Sequence, residues 1–567
     1  MRSSRSRKDG RSCTPPRITW KRRSSEANWR ATASPRIPGT PGTSRRWRTD
    51  SSTTRSVEPS SNILSRSSCR WSSTSMPWRS SPTGNRRRGT AMRDIRFGTD
   101  GWRALLDSVF TDLNVTRVAE AFVRHLHSTG DAGSSVAIAY DGRRRSKHFA
   151  SLFAEILSAH GHPVILASSI VPTPVLSFAV RHHGCSAGVM ITASHNPPDY
   201  NGIKFKGAYG GPFMSDRTRD VEAELRATTE GKSDPALVRT IDLLPAYLAH
   251  LGTVVDMQAL REFARTDSAR ASVMIDSMGG AGGTLLEEIL APLGWRAQTI
   301  FGTPDERFYD RLPEPIAQNL GPLLYNTAVT DALLGIATDG DADRCSIVYE
   351  DGTWMTAQEN ILALVWHLQV NKGWNGAVIK SASVTDKVRM LAQRRGAEVF
   401  DVSVGFKYIT EVMLKEDFLF GGEESGGFGF KHHLPERDGI LTGLLFCEMI
   451  AVTGRTLKEI MREVYDVVGE VHYDRIDAPY DRPDRADILP RLAAMTGGET
   501  LGGFAVQSVR TYREGTALTG VKFLLGNARW LLVRTSQTEP LVRIYAEGQK
   551  DDEVRMLLAE GKRLAGL

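Results

Sequence analysis

VAIAYDGRRRSKHFASLFAEILSAHGHPVILASS, residues 136–169, reads as strand, helix and strand in succession. VAIAY (136–140) is a short apolar run of the kind that forms a buried strand. HFASLFAEILSAHG (148–161) is amphipathic and closes on a glycine, which suits a helix C-terminus. PVILASS (163–169) is the next strand, and AGVMITAS (187–194) the one after. Upstream, Asp112 to Leu126 has the pattern of a helix, with Asp112 as a candidate N-cap. This β-α-β alternation predicts mixed or parallel sheets covered by helices.

The same texture recurs along the chain. SVMIDSMGGAGG (272–283) is a strand running into a glycine-rich turn, with a helix expected from Thr284. LLGIATDGDADR (333–344) is a strand entering an acidic loop. GAVIKSASV (376–384) is a strand and turn, with a helix from Thr385. After about Asp466 the strands FAVQSVRTYREG, VKFLLGN and WLLVRTSQTEPLVRIYAEG come together, and DDEVRMLLAEGKRLA closes as a helix. The expectation is an α/β protein of three related α/β domains with mixed sheets plus a smaller C-terminal α+β domain. The boundaries fall at 92–243, 244–353, 354–465 and 466–567. The repetition is one of element order, with no residue-level repeat.

Charge divides the 567 residues unevenly. The net +7 conceals a leading segment, 1–91, with 21 Lys+Arg against 4 Asp+Glu, net +17. The rest, 51 against 61, is net −10, so the folded body lacks the basic footprint of a nucleic-acid binder. Residues 1–91 are rich in Arg, Ser, Thr and Pro without hydrophobic periodicity, and a disordered segment is expected. Three readings of it stand: a transit peptide, a basic tail for nucleic acid, or an upstream start read in error, since Met92 directly precedes the first folded-looking stretch. Five cysteines, Cys13, Cys69, Cys185, Cys345 and Cys447, include no C-x-x-C pair and an odd member. They fit free thiols in a reducing compartment, and a cytoplasmic location is expected. No run approaches 18 apolar residues, so no membrane partner is expected.

Four motifs carry the chemistry. In ITASHNPPDYNGIKFKG (191–207), Ser194 stands where a strand meets a turn, with His195 and Lys204 near it as a proton acceptor and a cation. A serine in such a place more often caps or makes turn bonds than acts as a nucleophile. In ATDGDADRC (337–345), Asp339, Asp341 and Asp343 alternate, so an extended loop would project all three to one side. Three carboxylates together call for a hard divalent cation, Mg²⁺ or Ca²⁺. An EF-hand is the rival, with Glu350 at its twelfth position, but Arg344 occupies the sixth, where glycine is required. A solvated acidic loop is the plain alternative. In GGEESGGFGF (421–430), glycines allow close backbone approach, and Glu424 (or Glu423) with Ser425 suits sugar hydroxyls. In RTSQTEPLVRIY (534–545), Arg534, Ser536, Thr538 and Arg543 offer donors suited to phosphate.

Together these stretches resemble the α-D-phosphohexomutase family (phosphoglucomutase/phosphomannomutase) from about Ile95 to the C-terminus. The likeness covers RFGTDGWRA (96–104), TASHNP, DGDADR, VGFKYI (404–409), GEESGG and RTSQTEP, all in the family's order. It implies four domains around one deep active-site cleft, each contributing a loop. By matching position, Ser194 resembles the phosphoryl carrier. Asp339, Asp341 and Asp343 resemble Mg²⁺ ligands, with an oxygen on Ser194 completing the site. Arg344, Arg103, His195 and Lys204 resemble the groups that handle charge and protons. Glu424 and Ser425 resemble the sugar grip, with Lys380 and Lys407 on the same wall. Arg534, Ser536, Gln537, Thr538 and Arg543 resemble the clamp on the phosphate that is not transferred. Gln537 stands where the family usually has glycine.

The resemblance implies a phosphoglucomutase that passes through glucose 1,6-bisphosphate, which serves as intermediate and activator. A phosphomannomutase or dual-specificity enzyme is the alternative, and a phosphoglucosamine mutase is further off. The second glutamate of GEESGG is typically glutamine in the phosphoglucosamine enzymes. A sugar phosphate is the expected partner, and a monomer or weak homodimer the expected state. Two other classes stay open: a phosphatase, which would use the same phosphoserine but let water take the phosphate, and a binding or regulatory protein whose basic tail recruits nucleic acid.

Overall fold

The computed structural model describes residues 95–98, 101–228, 231–495, 497–536 and 540–567. The expected disordered segment 1–91 and the clamp residues Gln537 and Thr538 lie outside the described residues.

Among the described residues, three mixed sheets are accompanied by a five-stranded antiparallel sheet and a two-stranded one, Thr500–Leu501 with Phe504–Ala505. The first runs in the order Trp102–Leu105, Tyr200–Gly207, Ala187–Ile191, Val136–Tyr140, Val164–Ala167, Val238–Ile241. Its last four strands are parallel, and Tyr200–Gly207 is antiparallel to both neighbours. The second orders Trp354–Met355, Cys345–Tyr349, Leu334–Thr338, Ser272–Asp276 and Arg296–Ile300. The third orders Val399–Val402, Ala377–Ser381, Phe418–Gly422 and Phe428–Phe430. The fourth orders His472–Pro479, Leu541–Gly548, Arg529–Thr535, Ala517–Gly526 and Ser508–Glu514, wholly antiparallel. The α/β reading of the body and the α+β reading of its end both hold.

Every residue of Val136–Tyr140 and of Ala187–Ile191 is buried. Such strands have no solvent face, which is why their sequences are continuous apolar runs instead of alternating ones. Phe122 of the helix Asp112–Ser128 stacks on Phe205 at 4.8 Å, and Phe110 meets Phe149 edge-on at 4.8 Å. Each such ring, fully buried, contributes about 1.5–3 kcal/mol, and together they fix the helices on the sheet that carries Ser194.

Two local readings change. The helix Asp112–Ser128 is capped by Thr111, whose hydroxyl accepts from the Asn114 amide, so Asp112 is its first residue and not the cap. The strand expected to run to Ser194 stops at Ile191. Thr192 Oγ1 accepts the Ser194 amide at 2.8 Å, and Ser194 takes φ 51°. That side-chain bond offers the backbone an alternative to the sheet ladder. Among the described residues, Cys185, Cys345 and Cys447 are free and buried. No single helix among them is long and apolar enough to cross a membrane.

Candidate active site

The segment carrying Ser194 leaves the C-terminal end of a parallel strand, and so do the loops after Thr338, Ser381 and Gly422. In open α/β sheets the crevice outside these strand ends is where ligands bind.

The three aspartates lie in the turn between Leu334–Thr338 and Cys345–Tyr349, an antiparallel pair with Thr338 opposite Cys345. A hairpin has no EF-hand helices, so that rival falls. The loop is not extended either. Ala342 has φ 54°, and this turn brings the carboxylates together, not a period of two. One oxygen from each lies within 4.8 Å of the others, and all three residues are buried. Gly340 is required here, because a Cβ would stand 2.4 Å from the Ser194 carbonyl oxygen. The missing side chain lets the two loops touch, and Ser194 Oγ donates to Asp339 Oδ2 at 2.9 Å.

Cations surround the cluster on its protein side. Lys204 Nζ reaches Asp341 Oδ2 and Asp343 Oδ2 at 2.8 Å each. Thr173 donates to Asp341 Oδ2 at 2.6 Å, and Arg437 to Asp343 Oδ2 at 2.7 Å. The other oxygens of Asp341 and Asp343 are buried and take no hydrogen bond. Orphaned carboxylate oxygens beside the Asp339 carboxylate suit a small, hard cation with oxygen ligands. Burial, then the charges of Asp341 and Asp343, pushes the Asp339 carboxyl well above the usual range. Burial would raise Asp341 too, but Lys204 and Thr173 hold it low. For Asp343, burial is outweighed by Arg437 and Lys204.

His195 lies beside the serine, with Nδ1 3.5 Å from Ser194 Oγ, a distance too long for a strong bond. Burial, then Arg344, Arg103 and Lys204, holds its imidazole well below the usual range, so it is neutral at pH 7. Arg103 donates to the Asn196 side chain at 2.8 Å. The Arg344 amide donates to Asp339 Oδ1 at 3.1 Å, and its guanidinium lies 4.0 Å from Asp343.

The glycine-rich loop docks on this hairpin. The Cys345 amide donates to the Gly426 carbonyl at 2.9 Å, and a Cβ on Gly426 would meet the Cys345 carbonyl at 2.5 Å. Glu424 accepts from Ser383 at 2.5 Å and from Ser381 at 3.3 Å. Ser425 donates to Glu423 at 2.7 Å, and Arg437 reaches the same Glu423 oxygen at 3.3 Å. In the antiparallel sheet, Arg534 and Arg543 sit opposite each other on adjacent strands. Arg534 donates to the Tyr545 hydroxyl at 3.3 Å, and Asp477 lies 3.5 Å from both Arg543 and Arg475.

Two expected members of the sugar wall are engaged elsewhere. Lys380 is fully buried, and its ammonium meets Asp386 at 2.9 Å, Asp401 at 3.2 Å and the Val384 carbonyl at 3.1 Å. Its charge is met by two carboxylates away from the glycine-rich loop and no part of it reaches the surface, so the expectation that it contacts the sugar is withdrawn. Lys407 pairs with Glu514 at 2.7 Å and ties its helix to the last sheet. Sequence reading missed Thr173, Arg437, Arg475, Ser381 and Ser383. The place of each is set by tertiary contacts. The one local signal is Asp438, which caps the helix Gly439–Thr453 and so marks the turn that carries Arg437.

Sequence models of the phosphoglucomutase/phosphomannomutase family match four consecutive parts of the chain. They are the alpha/beta/alpha domain I at 94–232, domain II at 245–352, domain III at 358–468 and the C-terminal domain at 495–562. A phosphoglucomutase/phosphomannomutase of Thermococcus kodakarensis is 27% identical over 471 residues, covering 82% of this chain and 98% of its own. A candidate phosphoglucosamine mutase of Methanopyrus kandleri is 30% identical over 468 residues, covering 82% and 96%. The crystal structure of a candidate phosphomannomutase from Thermus thermophilus matches with a TM-score of 0.72 and 36% identity, covering 84% of this chain and 99% of that one.

Proposed function

The chain belongs to the phosphoglucomutase/phosphomannomutase family, the α-D-phosphohexomutases, which are isomerases, and we propose that it interconverts glucose 1-phosphate and glucose 6-phosphate through a phosphoserine at Ser194. The observation that carries this is Ser194 Oγ donating at 2.9 Å into a buried cluster of three aspartates. A serine placed merely to make a turn would not be aimed at a second loop that holds paired orphan oxygens.

Asp339, Asp341 and Asp343 would hold Mg²⁺ together with an oxygen on the phosphorylated Ser194. Bound there, Mg²⁺ would neutralise charge on the transferring phosphoryl group. The phosphoryl group leaves Ser194 Oγ for the free hydroxyl of a hexose monophosphate. The P–O bond to serine breaks, a P–O bond to the sugar forms, and the hydroxyl proton passes to a base beside the loop. Neutral His195 has a lone pair to accept it. Arg344 and Arg103 supply fixed positive charge to the transition state. Glucose 1,6-bisphosphate then turns over and returns its other phosphoryl group to Ser194, so storage on serine divides the isomerisation into two transfers. Glu424 and Ser425 would grip the sugar hydroxyls. Arg534, Ser536, Gln537, Thr538 and Arg543 would hold the phosphate that stays.

Glucose is preferred on the paired Glu423–Glu424 of the glycine-rich loop. A dual glucose and mannose specificity is the second reading, favoured by the name of the Thermococcus relative, while that of the Thermus relative speaks for mannose. The test runs the 1-phosphates of glucose, mannose and glucosamine side by side, with Mg²⁺ and a trace of the corresponding 1,6-bisphosphate. Glucose 1-phosphate should give the highest kcat/KM. A preference for glucosamine 1-phosphate, or release of free phosphate instead of a 6-phosphate, would overturn the proposal.

A further inference from the structure

We infer that Arg143 is a positioning residue for the phosphoryl carrier: its guanidinium, backed by the Phe308 ring of the neighbouring sheet's domain, holds the 194–200 loop in the one shape that sends Ser194 Oγ to the aspartates. The inference rests on the reading of Ser194 as the carrier.

One side chain satisfies four carbonyl oxygens within seven residues. Its Nη2 donates to Ser194 O and Asn196 O at 2.6 Å each, and its Nη1 to Pro197 O at 2.8 Å and Tyr200 O at 3.0 Å. The side chain is completely buried, so no water shares this work. Asp141, 3.3 Å from Nε, balances the charge and is held in turn by the Arg143 amide and Ser146. A lysine ammonium offers three donors from a single point. It cannot span acceptors spread around a planar fork.

The other face explains a costly feature of the second domain. Phe308, Tyr309 and Asp310 have φ of 53°, 55° and 57°, three consecutive non-glycine residues in the left-handed region. L-residues visit this region singly, and a run persists only where the surroundings over-determine it. The run sets the Phe308 ring 4.7 Å from the Arg143 guanidinium. The Arg307, Tyr309 and Arg311 contacts to Asp305 and Asp276 secure its two ends. The Ser194 carbonyl thus lies against Gly340 on one side and Arg143 on the other, with Phe308 flanking both. Ser194 keeps its own positive φ because its carbonyl is fixed from two domains at once.

Arg143→Lys and Phe308→Leu are compared with the wild type in the full chain. Phosphoryl uptake from glucose 1,6-bisphosphate is followed by intact mass, kcat and KM by turnover, and aspartate-site affinity by Mn²⁺ titration of the dephosphorylated enzyme, in which the carrier's phosphoryl oxygen is absent. Arg143→Lys should slow both uptake and kcat about 100-fold, the usual consequence of a misplacement near 1 Å, while KM and Mn²⁺ affinity hold. Phe308→Leu should shift the same two readouts in the same direction by about tenfold. Wild-type uptake and kcat in folded Arg143→Lys would overturn the inference. So would a loss of Mn²⁺ affinity in step with kcat, which is the mark of general damage. If Arg143→Lys does not fold, Phe308→Leu decides by the same criteria. A wild type that takes up no phosphoryl group on Ser194 refutes the carrier reading instead, which keeps the two failures apart.

Discussion

Arg437 touches carboxylates on two loops, Asp343 of the hairpin and Glu423 of the glycine-rich loop, and it is only 7% exposed. Removing one partner of a buried charged set leaves the others uncompensated, which costs about 3–5 kcal/mol. Arg437→Met should lose about that much stability in denaturant unfolding, and adding Glu423→Gln should recover part of it. Strict additivity of the two changes would contradict the shared contact. At this scale the sequence was legible where chemistry clusters in one short stretch. Asp339, Asp341 and Asp343 declared themselves by spacing, although a turn at Ala342 unites them and not an extended loop. Arg143 and Arg437 were not legible. The carbonyls that Arg143 holds lie 51 to 57 residues away, and the carboxylates that Arg437 joins lie 14 and 94 residues away on two separate loops, separations that no local pattern spans.

The helix Leu244–Val254 carries His250 to the loop that precedes Asp438. His250 stacks on Phe178 at 4.9 Å and shares a 3.0 Å contact with His433, which lies 2.9 Å from Asp438. Burial, then the nearby His433, pushes the His250 imidazole down to about 4, with Asp438 opposing and Arg181 assisting. Tyr247, on the same helix, donates to Asp438 at 2.8 Å. An unfolded histidine titrates near 6.5, so unfolding takes up a proton between about pH 6.5 and 4. This contact's stability is therefore whole above about pH 6.5 and declines as the pH falls toward 4. His250→Gln should flatten the slope of unfolding free energy against pH in that window, and an unchanged slope would refute the assignment. The helix cap at Thr111 shows how far element reading goes. Composition announced the helix, but Thr111 and Asp112 are both good caps, and only geometry chose between them.

Across the molecule, strands and helices were readable because their burial patterns are local, whereas the joint between the third and fourth sheets was not. Lys380, expected to touch sugar, belongs to that joint with Asp386 and Asp401. Lys522, from the last sheet, lies 3.4 Å from Asp386 and 3.9 Å from the Trp530 ring centre. Thr385 crosses the same joint to Glu547 at 2.6 Å. Lys380→Met should lower stability by about 3–5 kcal/mol and leave the KM for glucose 1-phosphate unchanged. A raised KM without lost stability would restore Lys380 to the sugar wall. The family match begins at 94, and a chain started at Met92 is expected to turn over at the rate of the full chain. The central claim is that Ser194 carries the phosphoryl group. The direct measurement is to load the enzyme with radiolabelled glucose 1,6-bisphosphate and Mg²⁺, map the labelled peptide, and chase with unlabelled glucose 1-phosphate. The account predicts label on Ser194 that leaves into sugar phosphate at least as fast as turnover. Label on another residue, or label on Ser194 that does not chase, would contradict it.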